Sequence, residues 1–440
     1  MSFTPKKLSV AVMVALGAAS LAYAQTATTE KTVITGSNIK RVDAETVAPV
    51  DVITRDQIER TGLPTVAEVL RNVPANTGGS FSESFSNSFA PGASGVALRG
   101  LGQKTTLVLI NGRRTSGYGF AQNLQDTFVD LNSIPTSAVE RIEVLKDGAS
   151  AIYGSDAIAG VVNLVLKEGK FSPFLTASGG QYVTGKGYKN DGTTVDLTGG
   201  VGIGLGRGSL ALFGQFQQRD PTNRAWADPY LVDQSGVADS INPSNGQIVI
   251  KRNNMPQPNL HWGDGLEKNT MTFANFRMPL NAAGNSEVYA FGGYSKRVGT
   301  GNGYWRYFDS ARNWPEIYPN GFLPEFRPDV EDYSVASGVR TNLGGWAVDF
   351  GGTYGANSFD YNLRNTLNAS LGPSLTTPTA PGADGVLGTA DDPGIPNQTS
   401  FHAGTLKRNE VLGAINFARA VTLGLPKPVN VAFGFAARRE

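Results

Sequence analysis

The sequence predicts a mainly β fold: a small α+β domain followed by an antiparallel sheet of membrane-barrel strands. Three observations carry this. Segments in the second half of the chain alternate apolar and polar residues with period two. The connections between those segments alternate between short and long. Beyond residue 24 no apolar run is long enough to cross a bilayer as a helix, so any crossing must use strands.

The 440 residues leave room for more than one domain. A formal net charge of +1 gives no electrostatic case for binding nucleic acid. The 54 glycines and plentiful aromatics suit tight turns and strands. There is no cysteine, hence no disulfide framework and no thiolate metal site. His261 and His402 are the only imidazoles. The chain has no H-E-x-x-H, no G-x-S-x-G and no P-loop, so no catalytic residue, cofactor or resident metal is assigned.

Residues 1–24 read as a secretory signal. Lys6 and Lys7 precede an apolar core over 8–21, and Ala22-Tyr23-Ala24 has the small-x-small cleavage pattern. Residues 25–47 are polar, with little to bury, and are expected to be mobile. Within them lies Thr32-Val33-Ile34-Thr35-Gly36, which by its residues alone is any short β-prone run.

Residues 48–168 are expected to form the α+β domain. Residues 49–54 form a strand. Thr65 with Glu68 forms a capping box for a helix over 66–72, and Pro74 closes it. Residues 78–95, GGSFSESFSNSFAPGASG, have no usable period and form a loop. Strands follow at 96–99 and 107–110, the second leading into the tight-turn signal Asn111-Gly112. Residues 138–145 alternate as a strand, Lys146-Asp147-Gly148 breaks it, 149–153 allow one helical turn, and 160–166 form a buried strand.

From residue 169 to 440 about nine strands follow, at 174–182, 194–203, 209–217, 269–278, 287–295, 333–340, 346–354, 411–417 and 429–435. In 346–354, Trp346, Val348, Phe350 and Tyr354 oppose Asp349 and Thr353. Residues 204–208, 281–285, 343–345 and 422–427 are short connections; 219–268, 298–331 and 359–406 are long. Short turns on one side and long loops on the other are what an outer-membrane barrel requires. In the last long loop, 381–393 clusters Asp384, Asp391 and Asp392 with glycine. It reads as a solvated turn, since it lacks the full calcium-loop pattern.

The wording of the first domain is more specific than its periodicity. Val139-Glu140-Arg141-Ile142-Glu143-Val144-Leu145-Lys146-Asp147-Gly148, then Tyr153-Gly154, then Ala157-Ile158-Ala159-Gly160-Val161-Val162-Asn163, resembles the end of the plug domain of TonB-dependent outer-membrane transporters. The departures are Asp147 before Gly148 and Ala159 in place of glycine. Leu98-Arg99-Gly100-Leu101-Gly102 resembles the family's I-R-G-x-G element. Leu109-Ile110-Asn111-Gly112 resembles its L-x-D-G element.

The resemblance implies a plug inside a barrel of ~22 strands. The chain is then the N-terminal part of a longer protein, with an incomplete barrel and about thirteen strands to follow. It implies that Thr32–Gly36 is the box that adds as a strand to a TonB-type periplasmic energy-coupling protein. Arg99 and Arg141 become a latch to carboxylates on the barrel wall. Phe81, Phe85 and Phe89 become exposed aromatics facing the ligand. The implied function is energy-coupled uptake of a scarce large ligand (a ferric siderophore, cobalamin or an oligosaccharide) by a monomer in outer-membrane lipid. A non-transporting receptor or adhesin using the long loops is the alternative. We expect residues 1–440 alone not to restore uptake to a cell lacking the whole gene, because an open sheet leaves a wet, incomplete wall.

Overall fold

A computed structural model describes residues 50–81, 90–122, 124–183, 191–226, 228, 256, 258–308, 310–315, 317–370, 383–386, 389, 398–424 and 428–440. The signal segment, Thr32–Gly36, Phe85, Phe89 and most of 381–393 lie outside the described residues.

The α+β domain contains β1 (Val50–Thr54), α1 (Arg55–Thr61), α2 (Val66–Arg71), β2 (Thr106–Ile110), β3 (Arg113–Arg114), β4 (Val139–Leu145), α3 (Ser150–Tyr153) and β5 (Gly160–Leu166). Its sheet order is β1-β4-β5-β2-β3. β2 runs parallel to β5 and the other pairs are antiparallel. The parallel pair is covered on both faces, as parallel strands generally are. Val108, Ile110, Val162 and Leu164 pack against Ile58, Val69 and Leu70 of the helices. Leu107, Leu109 and Val161 pack on the other side with Ala149 and Ala157.

Helix α1 was not expected from the sequence. Thr54 caps it, and Gln57 bonds back to the Thr54 backbone, so the reciprocal capping box forms here. At α2 the Thr65 hydroxyl accepts the Glu68 N–H at 3.1 Å, while the Glu68 carboxylate reaches Arg219, 3.1 Å away. Residues 96–99 also depart from expectation. They lead into a 3-10 turn at Leu98–Gly100 instead of a strand. Arg99 takes a φ of 56°, and Gly100 and Gly102 take 69° and 88°. That run of left-handed backbone is incompatible with a strand and suits glycine.

Asn111 and Gly112, with φ of 47° and 77°, make the two-residue turn that pairs Leu109 with Arg114 and Ile110 with Arg113. The turn is pinned from behind. Asn111 Oδ1 accepts the Leu166 N–H at 2.8 Å, and the Gly112 N–H donates to Asn163 Oδ1 at 2.8 Å.

The second part is one antiparallel meander of nine strands. They are β6 (Phe171–Gly180), β7 (Thr194–Leu205), β8 (Gly208–Arg219), β9 (Leu266–Pro279), β10 (Glu287–Asn302), β11 (Glu325–Leu343), β12 (Trp346–Arg364), β13 (Phe401–Val421) and β14 (Val429–Arg439). Several run far past their expected ends on the long-loop side. β11 begins at Glu325 and β13 at Phe401, and β12 continues to Arg364. In the β12 extension the apolar residues change face, Phe359, Tyr361 and Leu363 lying inward against outward Ser358, Asp360 and Asn362, so the outward apolar repeat of the lower strand does not continue.

One face of this sheet, here called the wall, packs on the α+β domain. In β12, Asp349 and Asn357 bond to that domain, so alternate residues from Trp346 to Asn362 face away from it. The outward residues are apolar or small from Trp346 to Ala356 and polar at Ser358, Asp360 and Asn362. Ten rises of ~3.3 Å at a tilt of ~40° give a band ~25 Å tall, the height of a membrane barrel's apolar belt. Tyr294 and Tyr333, 4.8 Å apart, edge it above, and Trp346, Phe417 and Phe433 edge it below. Phe350→Arg, at mid-belt, should cost about 2–4 kcal/mol in lipid vesicles. Ser358→Ala, on the same face above the belt, should change unfolding by under ~0.5 kcal/mol. A near-neutral Phe350→Arg in a denaturant titration would place this face in water.

Candidate functional site

The chemistry of the chain is concentrated where the α+β domain meets the wall. The contact combines apolar packing, in which Phe213, Phe273, Phe291 and Phe359 of the wall meet the domain's core, with a set of ion pairs and hydrogen bonds.

Near the short-turn end, six charges alternate in sign: Glu168, Arg277, Glu287, Arg340, Asp349 and Arg113. Both end members belong to the α+β domain and the middle four to the wall. Arg277 bonds Glu168 and lies 2.5 Å from Glu287. Arg340 is 3.1 Å from Glu287 and 3.4 Å from Asp349. Arg113, buried at the tip of the β2–β3 hairpin, reaches Asp349 at 2.5 Å. It also donates two hydrogen bonds to the Tyr289 hydroxyl, which donates to Asp349 at 2.9 Å. Arg340 lies 4.3 Å over the Tyr289 ring. The crowding explains Gly351: a Cβ there would sit 2.6 Å from the Tyr289 hydroxyl and 3.0 Å from Arg113.

Further towards the long loops, Arg297 of β10 meets Asp130 at 2.5 Å, each side chain only 1% exposed. Asp130 accepts the Ser94 and Asn132 N–H groups at 3.0 and 3.1 Å. Arg297 donates to the Tyr118 hydroxyl at 3.2 Å. Burial pushes the Tyr118 phenol well above its ordinary value, against the opposing pull of Arg297. Asn132 holds the Gly92 carbonyl at 3.0 Å and receives Asn269 of the wall at 2.6 Å. Gly92 has a φ of 81°, and a Cβ on it would be 3.0 Å from the Arg297 side chain. Asn357 of the wall accepts the Gly119 N–H at 2.7 Å. Aromatic rings shield the pair: Tyr118 stacks on Phe128 at 4.9 Å and meets Phe359 at 5.9 Å.

Two more contacts lie at the flanks. Gln215 accepts the Thr136 N–H and donates to the Pro64 carbonyl, each at 3.2 Å, beside the Glu68–Arg219 pair. Asp156 bonds Arg114 and lies 3.2 Å from Arg438 of the wall. Burial alone would raise the Asp156 carboxyl, but the Arg114 hydrogen bond and both arginine charges outweigh it and hold it below the usual carboxylate range.

The residues singled out from sequence sit as follows. Arg99 donates to the Ala159 and Ile158 carbonyls at 3.1 Å and lies 3.7 Å from Asp147. Arg141 pairs with Glu143 at 2.8 Å, and buried Glu143 also accepts from Asn163. Both arginines are thus set against carboxylates of their own domain. Gly148 and Gly154 flank α3, and the Tyr153 carbonyl accepts from Arg114. Phe81 is not exposed at a mouth. A two-way backbone bridge to Gly95 closes its loop and turns the ring inward onto Phe128, leaving it 2% exposed. Ion pairs to the wall come from Arg113, Asp130, Glu68, Asp156 and Glu168. Arg113 follows the turn signal Asn111-Gly112 and Glu68 belongs to the capping-box pattern, while Asp130, Asp156 and Glu168 carry no local pattern. Among the described residues no group of three or more His, Asp or Glu side chains is placed to hold a metal.

Removing Asp130 alone strands a buried guanidinium. Asp130→Ala should therefore cost about 3–5 kcal/mol, and the paired change Asp130→Leu with Arg297→Met much less. Equal losses in urea unfolding would mean the charge itself is unimportant.

Residues 42–161 match the family model described as the TonB-dependent Receptor Plug Domain. The chain is 30% identical over 172 residues to the iron-regulated outer membrane virulence protein of Vibrio cholerae serotype O1, in two strains. The match covers 38% of this chain and 24% of that protein, so the chain spans about a quarter of the curated relatives it matches. Among solved structures it is similar to a mutant of the ferric enterobactin receptor of Pseudomonas aeruginosa, with 17% identity and a TM-score of 0.47, covering 89% of this chain and 58% of that one. It is also similar to the ferric preacinetobactin receptor of Acinetobacter baumannii, with 13% identity and a TM-score of 0.48, covering 92% and 62%.

Proposed function

We propose that this chain, whose first folded domain is a TonB-dependent receptor plug, belongs to an outer-membrane importer that takes up an anionic ferric chelate by energy-coupled movement of that plug. The observation that carries the reading is the plug–wall contact. A purely structural domain contact would be expected to be apolar. This one has an apolar part, where Phe213, Phe273 and Phe291 of the wall join the plug's core, but it is also threaded by five charge pairs among the described residues and by hydrogen bonds, which water can replace when the plug moves. In this reading the ligand binds among the long loops outside. Residues 32–36 add as a strand to a TonB-type coupling protein in the periplasm, and that partner then pulls on the plug.

The choice of cargo rests on the loop between β10 and β11. Arg306 and Arg312 have no carboxylate within ion-pair distance among the described residues, and Trp305 and Tyr304 adjoin them. Burial, then the nearby Arg312 charge, disfavours the charged form of Arg306, and an arriving anion would relieve both. The iron regulation named for the Vibrio cholerae relative points the same way. A neutral oligosaccharide is the second reading, favoured by Trp226 and Trp262, which stand exposed beside each other's loop segments.

In cells carrying the full-length gene, deleting residues 32–36 should abolish uptake of a ferric chelate while surface binding persists. Arg306→Ala with Arg312→Ala should weaken that binding at least about tenfold. Uptake that survives the deletion would leave a passive receptor. Binding of a neutral glycan that ignores the arginine changes would make the cargo a sugar.

A further inference from the structure

Of the five described charges by which the wall grips the plug, three also lie within ion-pair distance of an opposite charge on the wall itself, and the other two have Glu267 of the wall close by. Asp349 holds Arg113 of the plug and has Arg340 at 3.4 Å. Arg277 holds Glu168 and has Glu287 at 2.5 Å. Arg438 holds Asp156 and has Glu440 at 2.6 Å. Arg297 holds Asp130, and the Glu267 carboxylate lies beside it, both side chains coming within 3.4 Å of where a Cβ on Gly92 would sit. Arg219 holds Glu68 and stands directly across the strand pair from Glu267. On the plug side, Glu68 keeps Arg71 at 3.5 Å and Asp156 keeps Arg114.

We infer that the wall is built for partner exchange: as the plug draws back, each wall charge turns from its plug partner to its reserve partner, so that no charge is left stranded. Breaking a buried ion pair is expensive because of the charge left behind. A second partner within a few ångströms removes that penalty from the open state while leaving the closed state gripped. Arg340, Glu287 and Glu267 are then positioning residues for plug release, although the closed plug is held by others. The inference rests on the reading that the plug moves.

The test uses the natural absence of cysteine. Ser137 is 4% exposed and its hydroxyl accepts from Thr198 of the wall at 2.8 Å, so Ser137→Cys meets a thiol reagent only when plug and wall part. In the purified chain, labelling rate reports how often they part. Arg340→Gln should slow labelling about tenfold, because Asp349 keeps Arg113 when closed and has nothing when open. Arg340→Lys should restore the parent rate, and Arg113→Gln should speed labelling. A merely structural role for Arg340 gives the opposite sign, since a loosened fold labels faster. Unchanged or faster labelling in Arg340→Gln overturns the inference. If that variant fails to assemble, Glu287→Gln puts the same question to the Arg277–Glu168 grip, with the same expected slowing and the same overturning result. Labelling needs neither ligand nor coupling partner, so uptake that survives deletion of residues 32–36 would remove the import reading and leave this result standing.

Discussion

Arg297 and Asp130 meet where water scarcely reaches, and much of the surrounding architecture is what such a meeting requires. Taking two charges out of water costs several kcal/mol for each ion, and their attraction offsets this only when the remaining polar atoms are also satisfied. The backbone at Ser94 and Asn132 is folded so that both N–H groups point at the carboxylate. The Tyr118 hydroxyl accepts a hydrogen bond from the guanidinium, and its ring, stacked on Phe128, helps exclude solvent. Gly92 carries no side chain because the arginine lies against its Cα. The loop closed by Phe81 and Gly95, the 3-10 turn after Asp130 and strand β10 are thereby fixed relative to one another.

The same strands solve two solvent problems at once. Their outward residues form an apolar belt, and their inward residues form a wall in which polar and charged groups alternate with aromatic patches such as Phe213, Phe273 and Phe291. The belt depends on lipid, which presents a uniform surface, so any sufficiently apolar side chain will serve. The wall depends on a folded partner, so each polar residue must match one group.

That difference decides what could be read from the sequence. The belt repeats every second residue, and Trp346, Val348, Phe350 and Tyr354 announce β12 without reference to anything else. Asn111-Gly112 likewise carries its turn within two residues. The wall contacts are not local. Asp349 finds Arg113, and Arg297 finds Asp130, across more than a hundred residues of intervening chain. No spacing rule encodes such a meeting. The family resemblance directed attention to Arg99 and Arg141, which lie beside Asp147 and Glu143 of their own domain. Helix α1 was missed for a different reason. Its seven residues bury only Ile58, so its apolar period is too sparse to register. In the upper part of β12 the apolar side of the alternation passes from the outward face to the inward one, where Phe359 and Tyr361 sit, so the repeat set by Trp346, Val348 and Phe350 breaks phase once the strand leaves the lipid.

The pinned hairpin has a mechanical consequence. Asn111 accepts from Leu166 and Gly112 donates to Asn163, so the β2–β3 tip is welded to the far end of β5. The chain leaves β5 at Leu166 and enters the first barrel strand at Phe171, a tether only a few residues long. Arg113 therefore sits close to the pivot of the whole domain, where a swing displaces it least. Groups remote from that pivot, such as Glu68 and Asp130, travel farthest for the same rotation. A rotation of the domain would act through this geometry as a lever, parting the far contacts first and through large displacements, and the hairpin's grip on Asp349 last and by the smallest.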